Sequence, residues 1–216
     1  MVLGLPPPRG QAAVSSTYIV GAGGFGREVL RWALDAGIDV DAFLDTAEGV
    51  ACGLPVLPDD LAFSPRDVFL CGIGEPALKR IVCERLRSRG ARFWTLVHPT
   101  AIATEPAAMG EGCVICPNAI LSVGSSIGRF VTVNCAATVG HDTVTGDYCS
   151  ISSHADICGH ASLGEGVLVG SHASILPHAH AGDWSIVGSG SVVVREAPER
   201  STVMGVPAAV IYRKPQ

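Results

Sequence analysis

The chain has 216 residues, 48% hydrophobic and 16% charged, which is material for one large or two modest globular domains. Fifteen Lys and Arg against 20 Asp and Glu give a net charge of -5, and no basic stripe interleaved with aromatics follows a phosphate backbone, so composition argues against nucleic acid as a partner. No apolar run approaches the roughly 18 residues of a membrane span. The opening MVLGLPPPRGQAAVSS lacks the basic start of a signal peptide and is broken by three prolines. A flexible tail over residues 1–16 and a cytoplasmic protein with no membrane partner are expected. In that compartment the eight cysteines are reduced, and the Cys-x-x-Cys of Cys113 and Cys116 lacks further ligands for zinc.

From Thr17 the chain reads TYIV, GAGGFG, EVLRWALDAG: an apolar strand, a glycine turn and an amphipathic helix closed by Gly37. Apolar runs follow at DAFLD (41–45) and DVFLCGIG (67–74), the latter leading into EPALKRIVCERLRSRG at helical spacing, and ARFWTLVHP supplies a last short strand. Strands alternating with helices predict a small Rossmann-like parallel sheet over residues 17–96, with ligands outside the strands' carboxyl ends. GAGGFG lies at such an end, where its glycines let backbone N–H groups approach a phosphate at the helix N-terminus. Asp45 follows about twenty residues later, as an acid reading a ribose or base would.

From Val97 the period becomes six. Positions 97, 103, 109 and onward to 187 are Val, Ile or Leu except for Ala103, Met109, Thr145 and Ala181. Glycine recurs immediately after them, at 110, 128, 140, 146, 164, 170, 182 and 188, and the fifth position, from Ala101 to Ser191, holds nothing larger than Val. This predicts a parallel β-helix of hexapeptide repeats over residues 97–194, followed by a C-terminal tail at 195–216. Cys113 and Cys149 fall in the small slot, as packing residues.

With three hexads per coil, residues 18 apart stack about 4.8 Å apart. His141 then shares a column with Val123, Gly159 and Pro177; Asp142 stacks with His160 and His178, and His154 with His172. A base beside an exposed backbone N–H suits acyl transfer: His141 would take the nucleophile's proton and Gly159 would stabilise the oxyanion. Asp142 can orient His141 only if the chain bends between them, because adjacent strand residues point to opposite faces. His154, His172, His178 and His180 read as solvated rings. A rival reading gathers the imidazoles around zinc.

GAGGFG, FLDT, GIGEPALKR, LVHPTA, the hexads with GHD and the closing GVPA, in that order from Tyr18 to Pro207, resemble the family of sialic-acid O-acetyltransferase-like and bacterial nucleotide-aminosugar N-acetyltransferases. The resemblance implies a left-handed β-helix, a homotrimer, acetyl-CoA as co-substrate lying along the β-helix between subunits, and no metal. It implies acetylation of the 4-amino group of a nucleotide-linked 4-amino-4,6-dideoxysugar for surface polysaccharide or glycan synthesis, with GDP-perosamine the first choice and UDP- or dTDP-linked sugars alongside it.

In this family the catalytic histidine falls on His141, its acid on Asp142 and its oxyanion amide on Gly159. Nucleotide-sugar positions fall on Gly23, Gly24, Phe25, Asp45, Thr46 and Gly74, with His160 added at the sugar, and cofactor contacts on Gly159, Ser150, Ser171 and Ser189. Some relatives carry histidines at positions 25 and 150, and many a basic residue at 209, leaving Arg213 or Lys214 for the cofactor phosphates. Alternatives are a sugar O-acetyltransferase, a zinc hydratase like the trimeric γ-class carbonic anhydrases, which lack a nucleotide-binding half, and an NAD-binding oxidoreductase module, against which the short sheet argues.

Overall fold

A computed structural model describes residues 16–104 and 108–213, so most of the expected N-terminal tail and Lys214 lie outside the described residues. The first half is a six-stranded sheet: β1 (Thr17–Val20), β2 (Ala42–Asp45), β3 (Gly49–Ala51), β4 (Leu54–Pro58), β5 (Val68–Cys71) and β6 (Arg92–Phe93), in the order β3-β4-β2-β1-β5-β6. Its central strand β1 is buried at all four positions and runs parallel to both β2 and β5, which is why it reads as an unbroken apolar run. Helices α1 (Gly24–Asp35) and α2 (Pro76–Ser88) make the crossovers, and Glu75 caps α2 by accepting from the Ala77 and Leu78 amides.

The antiparallel hairpin β3–β4 was not expected. Its prolines at 55 and 58 disguise the strand; Pro55 precedes the stretch of β4 that pairs with β2, and Pro58 is the last residue of that pairing. Cys52 and Gly53, both at positive φ, make the two-residue turn.

From Leu96 the chain winds as a left-handed parallel β-helix with two-residue rungs on three faces. The first face runs from Leu96–Val97 through Thr132–Val133 and Ser150–Ile151 to Ile186–Val187; the second begins at Ile102–Ala103 and the third at Ala108–Met109. Rungs pair at the expected spacing, as in Val114↔Thr132, Ile120↔Thr138 and Ser126↔Val144. The aliphatic slot and the small slot form the interior, where Cys113, Ala137, Cys149, Val167 and Ala173 are fully buried. The last coil is two residues shorter, with His180 facing Glu196 and Ile186 facing Thr202. The segment read as a C-terminal tail carries strands through Arg213: Ser201–Gly205 extends the first face and Ala208–Arg213 folds back antiparallel on it. Buried Ser201 and Val203 continue the inward alternation that makes this possible.

Each corner is turned by one residue at positive φ, at every sixth position from Gly112 to Gly190: Asn118, Gly124, Phe130, Ala136, Asp142, Tyr148, His154, His160, Gly166, His172, His178 and Trp184 lie between. Asn, Asp and His enter this left-handed region most readily among side-chain-bearing residues. The stacked pairs His154–His172 and His160–His178, each with ring centroids 4.9 Å apart, are therefore corner ladders.

The corner between the third and first faces joins the two halves. Phe130 packs edge-on against Phe93 at 4.9 Å and stacks on Tyr148 at 5.5 Å, and both corner aromatics belong to the same core as the sheet. Lys79 of α2 is fully buried; its ammonium donates to Thr132 Oγ1 (3.0 Å), Ser150 Oγ (2.9 Å) and the Cys149 carbonyl (3.3 Å), and burial lowers its pKa. Lys79→Ala should cost about 2–4 kcal/mol, by opening a cavity and stranding polar groups, and Lys79→Met should cost less because its side chain fills most of that cavity while stranding the same groups. Denaturant titration of the two variants checks the order, and equal losses would contradict it. Ala136→Gly should instead stabilise the chain by about 1 kcal/mol, since glycine pays no penalty at the Ala136 φ of 55°; an unchanged or lower midpoint would contradict the corner analysis.

Candidate active site

The glycine turn divides into structural and open positions. Gly21 has φ 99°, and a Cβ on Gly26 would lie 1.9 Å from the Gly21 carbonyl oxygen, so both hold the turn against α1. Gly23 and Gly24 have nothing within 4 Å of their Cβ directions, and Gly23 caps α1 with no side-chain hydrogen bond. The open space at the turn is at these two residues. Asp45 accepts from the Ala22 amide at 2.8 Å and the Thr46 amide at 2.7 Å, so its carboxylate holds the carboxyl ends of β1 and β2 together. Phe25 packs edge-on against Trp32, with the Gly74 turn near its ring. Gly23, Gly24, Phe25, Asp45, Thr46 and Gly74 thus share the carboxyl end of the sheet.

Ser150 is placed otherwise than at a cofactor. It is buried on the first face, accepts from Lys79 and donates to the Gly74 carbonyl at 2.6 Å, so its hydroxyl is spent on the seam between the halves. The six-residue frame revealed its place in the coil but not that a helix covers it. Ser171 and Ser189 stack beside the corner between the first and second faces, Ser171 half-buried and Ser189 exposed, and Arg213 is exposed on the last strand.

His141 and Asp142 stand at the corner between the second and third faces. Asp142 has φ 57°, so the chain does bend there, and His141 Nδ1 lies 2.9 Å from Asp142 Oδ2. A carboxylate at this distance is placed to accept from an Nδ1–H, the tautomer that leaves the Nε2 lone pair pointing outward. Gly124, one coil earlier, provides the room: a Cβ there would come within 2.5 Å of Asp142 Oδ1. Stacking back by 18 from Asp142 would have found this glycine. One coil on, a Cβ on Gly159 would sit 2.5 Å from His141 Nε2, so only glycine leaves the ring its position. The Gly159 N–H makes no hydrogen bond among the described residues. His160 donates its amide to the His141 carbonyl at 2.9 Å, crosses the His141 ring edge-on at 5.0 Å, and brings Nε2 to 3.8 Å from Asp142 Oδ2. His141, Asp142, Gly159 and His160 therefore form one exposed cluster. The other expected surface histidine, His180, meets Ser162 Oγ at 2.9 Å.

Both groups exist, but not together within one chain. The sheet packs on the first face and on its two flanking corners, through Lys79, Phe130 and Tyr148 and through Cys116 and Cys135. His141 occupies the third corner, which the N-terminal half leaves open. Beside it the second face exposes Ile102, Ile120 and Val123.

The family described as PglD N-terminal domain matches residues 17–86. UDP-N-acetylbacillosamine N-acetyltransferase of Bacillus subtilis (strain 168) is 38% identical over 47% of this chain. The matches to curated relatives span 64% and 51% of those relatives' own lengths. Solved structures are matched over nearly their whole length. The acetyltransferase domain of PglB from Neisseria gonorrhoeae FA1090, in complex with acetyl coenzyme A, is 30% identical with a TM-score of 0.87, covering 90% of this chain and 98% of that one. PerB from Caulobacter crescentus, in complex with CoA and GDP-perosamine, is 29% identical with a TM-score of 0.86, covering 92% and 98%. Among the described residues no helix is long and apolar enough to cross a membrane. A nucleotide-type turn set before a hexapeptide β-helix, a histidine poised over a free glycine amide, and these likenesses lead to one conclusion: the chain belongs to the family of bacterial nucleotide-aminosugar N-acetyltransferases.

Proposed function

We propose that the chain transfers the acetyl group of acetyl-CoA to the 4-amino group of a nucleotide-linked 4-amino-4,6-dideoxysugar, GDP-perosamine being the first choice, in the synthesis of a surface polysaccharide or glycan. The observation that carries this is His141, oriented by Asp142 through Nδ1, with its free Nε2 above the unpaired Gly159 amide. The relatives' bound ligands support the substrate class: GDP-perosamine with CoA in one, acetyl coenzyme A in another. A UDP-linked sugar in the name of a third keeps the base open to test.

In the proposed reaction the sugar amine attacks the thioester carbonyl as its proton passes to His141 Nε2. The Gly159 N–H donates to the developing oxyanion, and collapse breaks the C–S bond, with the proton passing on to the leaving thiolate. A neutral amine is already a competent nucleophile towards a thioester, so no acyl-enzyme is required. Glycines 23 and 24 with Asp45 and Thr46 would hold the nucleotide, and Ser171 and Ser189 would line the path of the cofactor.

Because His141 sits on the corner away from the sheet of its own chain, the site is completed by a second copy, in a homotrimer that covers Ile102, Ile120 and Val123. His141→Asn should lower kcat by about 10²- to 10⁴-fold, the usual scale for general-base catalysis, with KM for acetyl-CoA little changed. Gly159→Ala, whose methyl displaces the ring, should lower kcat while leaving the fold intact by circular dichroism. Thiol release from acetyl-CoA, measured with GDP-, UDP- and dTDP-linked 4-amino sugars and their 4-hydroxy counterparts, decides the acceptor. Near-full activity in His141→Asn, or a preference for the hydroxy sugars, would overturn the assignment.

A further inference from the structure

One ligand atom each from His141, Asp142 and His160 lies within 4.8 Å of the other two, all on exposed side chains at one corner. His141 Nδ1 and Asp142 Oδ2 are 2.9 Å apart, and His160 Nε2 is 3.8 Å from the same oxygen. Two imidazoles and a carboxylate at these separations make up a first-row transition-metal donor set, needing only small side-chain adjustments to reach ligand distances near 2.0–2.2 Å. Hard cations such as Mg²⁺ favour all-oxygen sites and fit poorly. The three ligands come from two successive coils tied by the His160 amide to the His141 carbonyl, so the set is held by backbone pairing.

We infer that this corner is an inhibitory site for a divalent transition-metal ion such as Zn²⁺, bound by His141 Nδ1, Asp142 and His160 Nε2. The inhibitory half of this inference rests on His141 being the base; the binding half does not. In the resting site the His141 proton is on Nδ1, donated to Asp142, and Nε2 carries the lone pair. A metal on Nδ1 takes the position of that proton, which moves through solvent to Nε2. The imidazole stays neutral, but its outward nitrogen becomes a donor and cannot accept the proton of the sugar amine. Asp142 is at the same time drawn from orienting His141 to neutralising the metal. Acetyl transfer itself needs no metal, so occupation would only switch it off. His178, stacked on His160 at 4.9 Å, and Cys158, in contact with Asp156, are further titratable groups beside the cluster.

The test is titration of the chelator-treated, full-length protein with Co²⁺, followed by its visible d–d bands, beside Zn²⁺ inhibition of thiol release. The inference expects one Co²⁺ per chain, with affinity at least tenfold weaker in His160→Gln and in Asp142→Asn and unchanged in His172→Gln on the neighbouring corner. Zn²⁺ should abolish turnover at one equivalent per chain, and EDTA should restore it. Co²⁺ binding that is equally tight in His160→Gln and Asp142→Asn, or no d–d absorption beyond that of aqueous Co²⁺ at millimolar metal, would overturn the site. Stoichiometric binding that leaves turnover untouched would overturn the inhibition; if His141→Asn is also near fully active, the fault lies with the base assignment.

Discussion

The corners of the β-helix from Gly112 to Gly190 each depend on a single residue held at positive φ, and much of the structure follows from how each corner meets that demand. A side chain in the left-handed region costs about 1–2 kcal/mol relative to its ordinary conformations, so the cost must be offset by what the side chain does there. Where the corner meets the N-terminal sheet, Phe130 and Tyr148 bury their rings against Phe93 and α2, and the two halves share one core. Elsewhere glycine, Asn, Ala, Asp, His and Trp occupy it. One of these, Asp142, is turned by its backbone towards the preceding histidine. The same local geometry thus docks a domain on one edge and pairs His141 with Asp142 on another.

The proposed catalytic cluster is economical for this reason. In a flat strand His141 and Asp142 would point to opposite faces; the left-handed turn puts them on one side, and two glycines clear the space above and below. Gly124 admits the Asp142 carboxylate and Gly159 admits the His141 ring, each exactly one coil away in the stacking. Repeat architecture supplies the rest: the rungs fix the spacing between coils, so the distance from imidazole to amide is set by backbone hydrogen bonds instead of a flexible loop.

Much of this was legible in the sequence. The aliphatic and small slots announce the β-helix because their residues must be chemically alike, and stacking by 18 brought His141 to Gly159 and His160 to Asp142. The corner slot escaped notice because its residues share a backbone conformation and little else: Asp, His, Phe, Trp and Gly have no common hydropathy. The hairpin at 49–58 was hidden by prolines at the second and last positions of its return strand. The seam between Lys79 and Ser150 was not legible, because neither burial nor pairing across 71 residues leaves a periodic trace.

The central claim is that the nucleotide turn of one chain works with His141 of another. Chains carrying His141→Asn and chains carrying Gly23→Trp, which fills the open space at the turn, can be co-expressed with different tags and purified through both. In a mixed trimer about one site in three then pairs an intact turn with an intact histidine from its neighbour. The account predicts about a third of wild-type thiol release from the mixed trimers, against near-background rates from either variant alone. Mixed trimers no more active than the separate variants would show that turn and base belong to the same chain, and would contradict it.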